Sequence, residues 1–174
     1  LKKENEFLRE TLGLGLEKEF QLKLAQVISK DISEDSILIN KGSKDNVLSG
    51  LPVITGQRAL LGKIGRVFDN FSEVILISNK ETSFDAKISG KEIYGIIKGK
   101  GNSEFYLDLI PKNEEISEGD LIVTSVLGGN FPEGLLVGEI QKVKKPDVEL
   151  FQTAQVLPQL NFREVENLFI ITNF

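Results

Sequence analysis

The chain has 174 residues, 40% of them hydrophobic and 27% charged, with a formal net charge of −5. This is ordinary globular composition, long enough for one core or two small ones, and the acidic balance argues against a nucleic-acid backbone as partner. There is no Cys and no His, which removes disulfides, thiolate zinc sites, Ser-His-Asp triads and the commonest general base.

The first residues read as a helix. Leu1, Asn5, Leu8 and Leu12 recur at alternating steps of four and three, the a/d seam of a coiled coil, with Leu1 and Leu8 at d and Asn5 and Leu12 at a. Glu4 then falls at g and Arg9 at the following e, an opposite-charge pair across a parallel homodimer. A solvated helix docked on its own domain is the alternative. No run of about 18 or more apolar residues exists. The chain holds no Met and starts inside this polar helical pattern, so it reads as a piece whose targeting or membrane segment lay upstream. Gly13 and Gly15 end the helix, giving a helical segment over 1–16 and a charged connector over 17–24.

From Ala25 onward the pattern is strand. Candidates are 25–28, 36–40, 51–55, 60–67, 73–78, 84–88, 94–98, 105–110, 121–125, 135–143, 150–156 and 168–172. Turn chemistry at Lys41-Gly42-Ser43, Ser49-Gly50, Asp69-Asn70 and Asn79-Lys80-Glu81 separates the early ones. Short strands at regular spacing predict a sandwich or barrel. Alternation places Val148, Leu150, Ala154 and Val156 on one face, and Phe105, Leu107 and Leu109 on another. Val74-Ile75-Leu76-Ile77 is apolar at every position, which predicts a strand covered on both faces.

Phe68 and Phe71 flank Asp69-Asn70, a hairpin turn that makes the two rings cross-strand neighbours on one face. Most Phe is buried, so core packing is one expectation. The sharper one joins them with Tyr94 and Tyr106 in an aromatic protein-binding patch on a barrel spanning 60–140. Further on, Gly128, Gly129, Phe131, Pro132 and Gly134 form a loop between two strands. No Gly-Lys-Ser/Thr follows and no helix begins there, so it reads as a structural connection and not as a phosphate cradle. Ser125 beside it is the best decoy nucleophile, with no base to activate it.

The chain also resembles itself. Ala25-Gln-Val-Ile28 matches Tyr94-Gly-Ile-Ile97, and Val47 to Thr55 matches Ile116 to Thr124, both at an offset of 69 residues. Leu60 to Val67 matches Leu136 to Val143 at a larger offset, because the loop through Gly128 and Gly134 is inserted. A duplication giving two β-units of six strands each follows, in tandem over 25–89 and 94–172.

Several of these stretches together resemble MreC, the bacterial rod shape-determining family. They are Leu1-Lys-Lys-Glu-Asn5, Asn40-Lys-Gly-Ser-Lys-Asp-Asn-Val47, Gly50-Leu-Pro-Val-Ile54 and Leu61-Gly-Lys-Ile-Gly-Arg-Val67, then Gly119-Asp-Leu-Ile-Val-Thr-Ser125 and Gly128-Gly-Asn-Phe-Pro-Glu-Gly-Leu135. Asn46 and Val126 stand where the family pattern leads one to expect Gly.

The resemblance implies a mainly β fold: a short N-terminal coiled-coil helix followed by two six-stranded β-barrels in a chymotrypsin-like, non-catalytic arrangement. One barrel would be inserted in the other, with 25–59 and 141–174 forming the first and 60–140 the second. It implies an extracytoplasmic domain on a transmembrane tether upstream and no cofactor. Its function would be a scaffold that organises and activates peptidoglycan synthesis. The implied partners are a second copy, a class B penicillin-binding protein with its glycosyltransferase, the MreD membrane protein and the actin-like MreB filament system. A periplasmic adaptor of a transport assembly and a degenerate trypsin-like hydrolase are the competing readings.

Overall fold

The structure is a computed structural model, and it describes residues 3–4 and 19–174. The seam residues Leu1, Asn5, Leu8 and Leu12 lie outside the described residues, as does the body of the expected helix. Among the described residues twelve strands follow in order: β1 (Gln21–Asp31), β2 (Ser36–Ile39), β3 (Pro52–Ile54), β4 (Leu60–Val67), β5 (Ser72–Leu76), β6 (Ser83–Ile88), β7 (Tyr94–Gly101), β8 (Glu104–Pro111), β9 (Leu121–Thr124), β10 (Leu136–Lys144), β11 (Phe151–Pro158) and β12 (Asn167–Asn173). They make two closed barrels, in the orders β1-β12-β3-β4-β5-β2 and β10-β11-β8-β7-β6-β9. Closure leaves neither sheet with an unpaired edge.

The first unit comprises Leu1–Leu76 and Asn161–Phe174. Its core is the inward row of each strand: Ala25, Ile37, Ile39, Val53, Leu60, Ile64, Val74, Leu76, Leu168 and Ile170 are all buried. The second unit is Ile77–Leu160, filled by Phe84, Ala86, Ile88, Ile97, Phe105, Leu107, Ile122, Ile140, Ala154 and Val156. β-Branched and aromatic side chains dominate both, as a pleated, closely packed surface favours.

The structure moves the boundaries drawn from the sequence. Residues 60–76 belong to the first barrel, because β4 pairs with β3 and β5, and β5 pairs with β2. Residues 141–158 belong to the second, because β10 pairs with β9 and β11, and β11 with β8. A tandem division at 89–94 fails as well. β6 pairs with β7 and β9, while β12 pairs with β1 and β3.

Three face assignments also change. β5 alternates, with Val74 and Leu76 buried and Ile75 half-buried, and it ends at Leu76. Burial at successive positions is found instead on β12, through Leu168, Phe169, Ile170 and Ile171, and on the short β3, where Pro52, Val53 and Ile54 are all buried. On β8, Leu109 leaves the row of Phe105 and Leu107. It adopts φ +57° and turns outward, and Ile110 takes the inward place. The pairing explains this: Leu107 faces Ala154 and Ile110 faces Gln152, so β8 carries one residue more than β11 there, a bulge. Val148 and Leu150 precede β11, which begins at Phe151, so they do not share the inward row of Ala154 and Val156.

Candidate functional site

The β4–β5 hairpin is tight. Val67 faces Ser72, and the Phe68 N–H donates to the Phe71 carbonyl at 2.9 Å. The two rings stack, centroids 4.5 Å apart and planes 21° from parallel. Phe68 is 41% exposed and Phe71 38%, so the stacked pair still presents an aromatic surface to solvent.

The hairpin tip is tied to the loop after β2. Ser43 and Lys44 N–H groups donate to the Phe68 and Asp69 carbonyls at 2.8 and 3.1 Å. Gly42 permits this approach, since a Cβ there would lie 2.2 Å from the Phe68 oxygen. The short 3-10 turn Ser43–Asp45 that supplies these donors begins with the Asp45 carboxylate accepting from the Gly42 N–H at 3.0 Å. It closes on Asn46 at φ +62°. That left-handed conformation is why Gly would be at home there, and Asn is among the few side chains that tolerate it. Beside the hairpin, an open groove on the same barrel is lined by Val47, Leu48, Val67 and Ile75, with the Arg66–Glu73 ion pair (3.1 Å) across it.

Tyr94 and Tyr106 belong to a different unit from the Phe pair. They lie on β7 and β8 of the second unit, and both are half-buried. The Tyr94 hydroxyl donates to the Glu92 carboxylate. That hydrogen bond, and then the charge of Lys87, hold Glu92 below the usual carboxylate range. The Lys87 Nζ sits 3.7 Å from Glu92, 3.8 Å from Glu133 and 5.7 Å from the centre of the Tyr94 ring. Tyr106 has Lys100 Nζ 5.7 Å from its ring centre and faces Lys98, itself paired with Asp108 at 2.9 Å. These tyrosines are members of a charged outer belt. The four expected partner-binding aromatics therefore divide into an apolar pair on one unit and a polar pair on the other.

The glycine-rich loop after β9 is a strap pinned to the second barrel. Phe131 is buried edge-on against Phe84, centroids 5.2 Å apart. Buried Thr124 holds both ends: its hydroxyl donates to the Pro132 carbonyl at 2.6 Å and accepts from the Leu135 N–H at 2.9 Å. Gly129 and Gly134 adopt φ +68° and +84°, which favours residues without a Cβ. A Cβ on Gly128 would lie 2.5 Å from the Asp85 carboxylate, an acidic neighbour unsuited to a phosphate. Ser125 is buried, and its hydroxyl accepts from the Leu127 N–H at 3.2 Å. Among the described residues no group of three or more acidic, His or Cys side chains could hold a metal ion.

Sequence reasoning missed Thr124, whose residue type looks like ordinary strand filling. It also missed the exposed Val148 (95%) and Leu150 (80%). Pro146-Asp147 is the signal that could have found them, since a turn there delays the strand beyond both residues.

A family model described as "Rod shape-determining protein MreC, barrel core" matches residues 27–172. The cell shape-determining protein MreC of Haemophilus influenzae is 35% identical over 91% of this chain and 46% of its own length. That of Escherichia coli is 33% identical over 98% and 47%. The chain thus spans about half the length of the curated relatives it matches. A solved MreC structure superposes with a TM-score of 0.90 at 26% identity, covering 98% of both chains. A solved complex between a penicillin-binding protein and MreC from Helicobacter pylori superposes at 0.67 and 19% identity, over 88% of this chain and all of that one, which speaks for the fold alone.

Proposed function

The chain belongs to the MreC family of rod shape-determining proteins, and from that membership we propose that it is the barrel portion of a non-enzymatic scaffold. The scaffold maintains rod shape by organising and activating peptidoglycan synthases through protein–protein contacts. The observation that carries this reading is the stacked Phe68–Phe71 pair, exposed on a hairpin whose backbone is fixed by Ser43 and Lys44. An aromatic anchor already held in place loses little freedom on binding.

A class B penicillin-binding protein is the proposed partner, by analogy with the Helicobacter pylori MreC that shares this fold and is solved in complex with a penicillin-binding protein. The leading helix, through Leu1, Asn5, Leu8 and Leu12, is the proposed homodimer seam. We further propose that the domain lies outside the cytoplasm on a tether upstream, with MreD and the actin-like MreB system as further members of the assembly. Among the described residues no helix is long and apolar enough to cross a membrane.

Phe71→Ala tests the reading. The unfolding free energy obtained from thermal melts is expected to fall by about 1 kcal/mol or less, since the ring is not enclosed. Binding to the purified penicillin-binding protein, measured by interferometry, is expected to weaken by about 2 kcal/mol or more, on the order of thirtyfold. A variant that binds normally at full stability, or one that unfolds, removes this hairpin from the interface.

A further inference from the structure

The two barrels are built to one plan, strand by strand. β1 lies between β12 and β2, and β7 between β6 and β8. β3 lies between β12 and β4, and β9 between β6 and β10; β5 lies between β4 and β2, and β11 between β10 and β8. Hence β1–β5 correspond in order to β7–β11, and β12 occupies in the first barrel the place that β6 occupies in the second.

The correspondence extends to register. Val53 faces Gly62 and Ile54 faces Leu60, with a slip between; Ile122 faces Gly138 and Val123 faces Leu136, with the same slip. Gly50 (φ +90°) donates to the Ile64 carbonyl at 2.7 Å, and Gly119 (φ +89°) to that of Ile140 at 2.8 Å. Ile170 faces Val53, and Ile88 faces Ile122. Read along the chain, β1–β6 and β7–β12 are two repeats, and each barrel is closed by the sixth strand of the other.

In the first barrel the slot between strands one and three is therefore filled by β12, which the whole second unit separates in sequence from the five strands around it, whereas in the second barrel β6 runs directly into β7. β12 reaches its slot through the connection over 159–166. The residues of the two sixth strands that point away from the barrel interior differ. They are Phe169 and Ile171 on β12, both buried, and Asp85 and Lys87 on β6, with Lys87 near Glu92 and Glu133. Returning each strand to its own repeat would put Lys87 where Phe169 is now buried and Ser89 where Ile171 is, with Asp85 at the place of Asn167. The segment that matches the first barrel's slot on both faces is β12, whether from the same chain or from a second copy.

We propose that the β1/β3 slot of the first barrel is a strand-binding site for the β12 of a second copy of this chain, giving a reciprocal strand-exchanged dimer. The closed and exchanged forms contain the same strand contacts and differ at the 159–166 connection, so the balance between them is set by local concentration. This proposal stands independently of the scaffold reading and of the helical seam.

The absence of Cys makes a clean test available. Gln26 faces Asn167 across β1 and β12. Full chains carrying Gln26→Cys alone and Asn167→Cys alone are refolded together at high concentration and oxidised. The expected result is a mixed disulfide-linked dimer in several-fold excess over a control mixture of Asn167→Cys with Lys142→Cys, the excess falling on dilution. A chain carrying both Gln26→Cys and Asn167→Cys should close its disulfide internally when refolded dilute. Internal closure without any excess in the mixture overturns the proposal. Failure of internal closure overturns the β1–β12 pairing on which it rests.

Discussion

The two barrels share a framework and differ in how their connections are dressed. The β3–β4 connection is short: the Thr55 N–H donates to the Ala59 carbonyl at 2.9 Å and the chain turns at once. Its counterpart makes the same bond, Thr124 N–H to the Leu135 carbonyl at 2.9 Å, across the whole Gly128–Gly134 strap. The β4–β5 end is a tight hairpin carrying two stacked Phe rings. Its counterpart between β10 and β11 is longer and carries Val148 and Leu150 into solvent. Bonds that close a barrel are repeated, because closure allows few alternatives. Connections vary, because added loop length costs little.

The largest expected effects fall on the sixth strands. Ile170 and Ile88 occupy matching places and are both buried, so Ile→Ala at either should cost about 2–5 kcal/mol. Hydrogen exchange read by mass spectrometry distinguishes the barrels. Ile170→Ala should raise exchange across residues 21–76, and Ile88→Ala across 83–158. Equal loss of protection everywhere in both variants would mean that the units unfold as one.

Gly62 and Gly138 provide the next comparison. A Cβ at Gly62 would lie 2.0 Å from the Ile75 carbonyl oxygen, and one at Gly138 would lie 2.5 Å from that of Leu157. Both contacts are with backbone of a paired strand, which cannot move aside without breaking the ladder. Gly62→Ala should cost about 1–3 kcal/mol or more and Gly138→Ala less. Urea denaturation that reverses this order would show the second barrel to be the more rigid at that crossing.

A smaller difference is expected at the paired threonines. Thr124 is buried and its hydroxyl bonds both Pro132 and Leu135, so Thr124→Val should cost about 1–3 kcal/mol. Thr55 is half-buried and accepts from the Gln57 and Ala59 N–H groups at 3.3 Å each. With water able to replace that oxygen, Thr55→Val should cost about 1 kcal/mol or less. Thermal melts of the two variants side by side measure the contribution of the strap's anchor beyond that of an ordinary turn.

Much of the framework is legible in the residues alone. The equal offset from Ala25 to Tyr94 and from Val47 to Ile116 announces two like units, and turn residues mark most strand ends. Register adds a refinement: Ala25 faces Leu168 and Gly95 faces Ala86, so on β1 and β7 the structural partner of Ala25 is Gly95, one residue beyond Tyr94. Tyr94 matches by its place in the string of residues, whereas position in a sheet is decided by the neighbouring strand. The candidate surface is half legible. The turn at Asp69-Asn70 places Phe68 and Phe71 side by side, but nothing local to them decides whether anything covers the rings.

The sequence by itself determined the β class, the repeat, the positions of most turns and, through its lack of His and Cys, the chemistry denied to the chain. Tertiary structure decided which sixth strand closes which barrel, that Leu109 leaves its row, and that the Phe pair faces solvent while Tyr94 and Tyr106 sit among charges on another unit. The physical reason is that an alternating pattern fixes which side chains share a face of a strand. It carries no information on which remote strand lies alongside, because every extended segment offers the same backbone donors and acceptors.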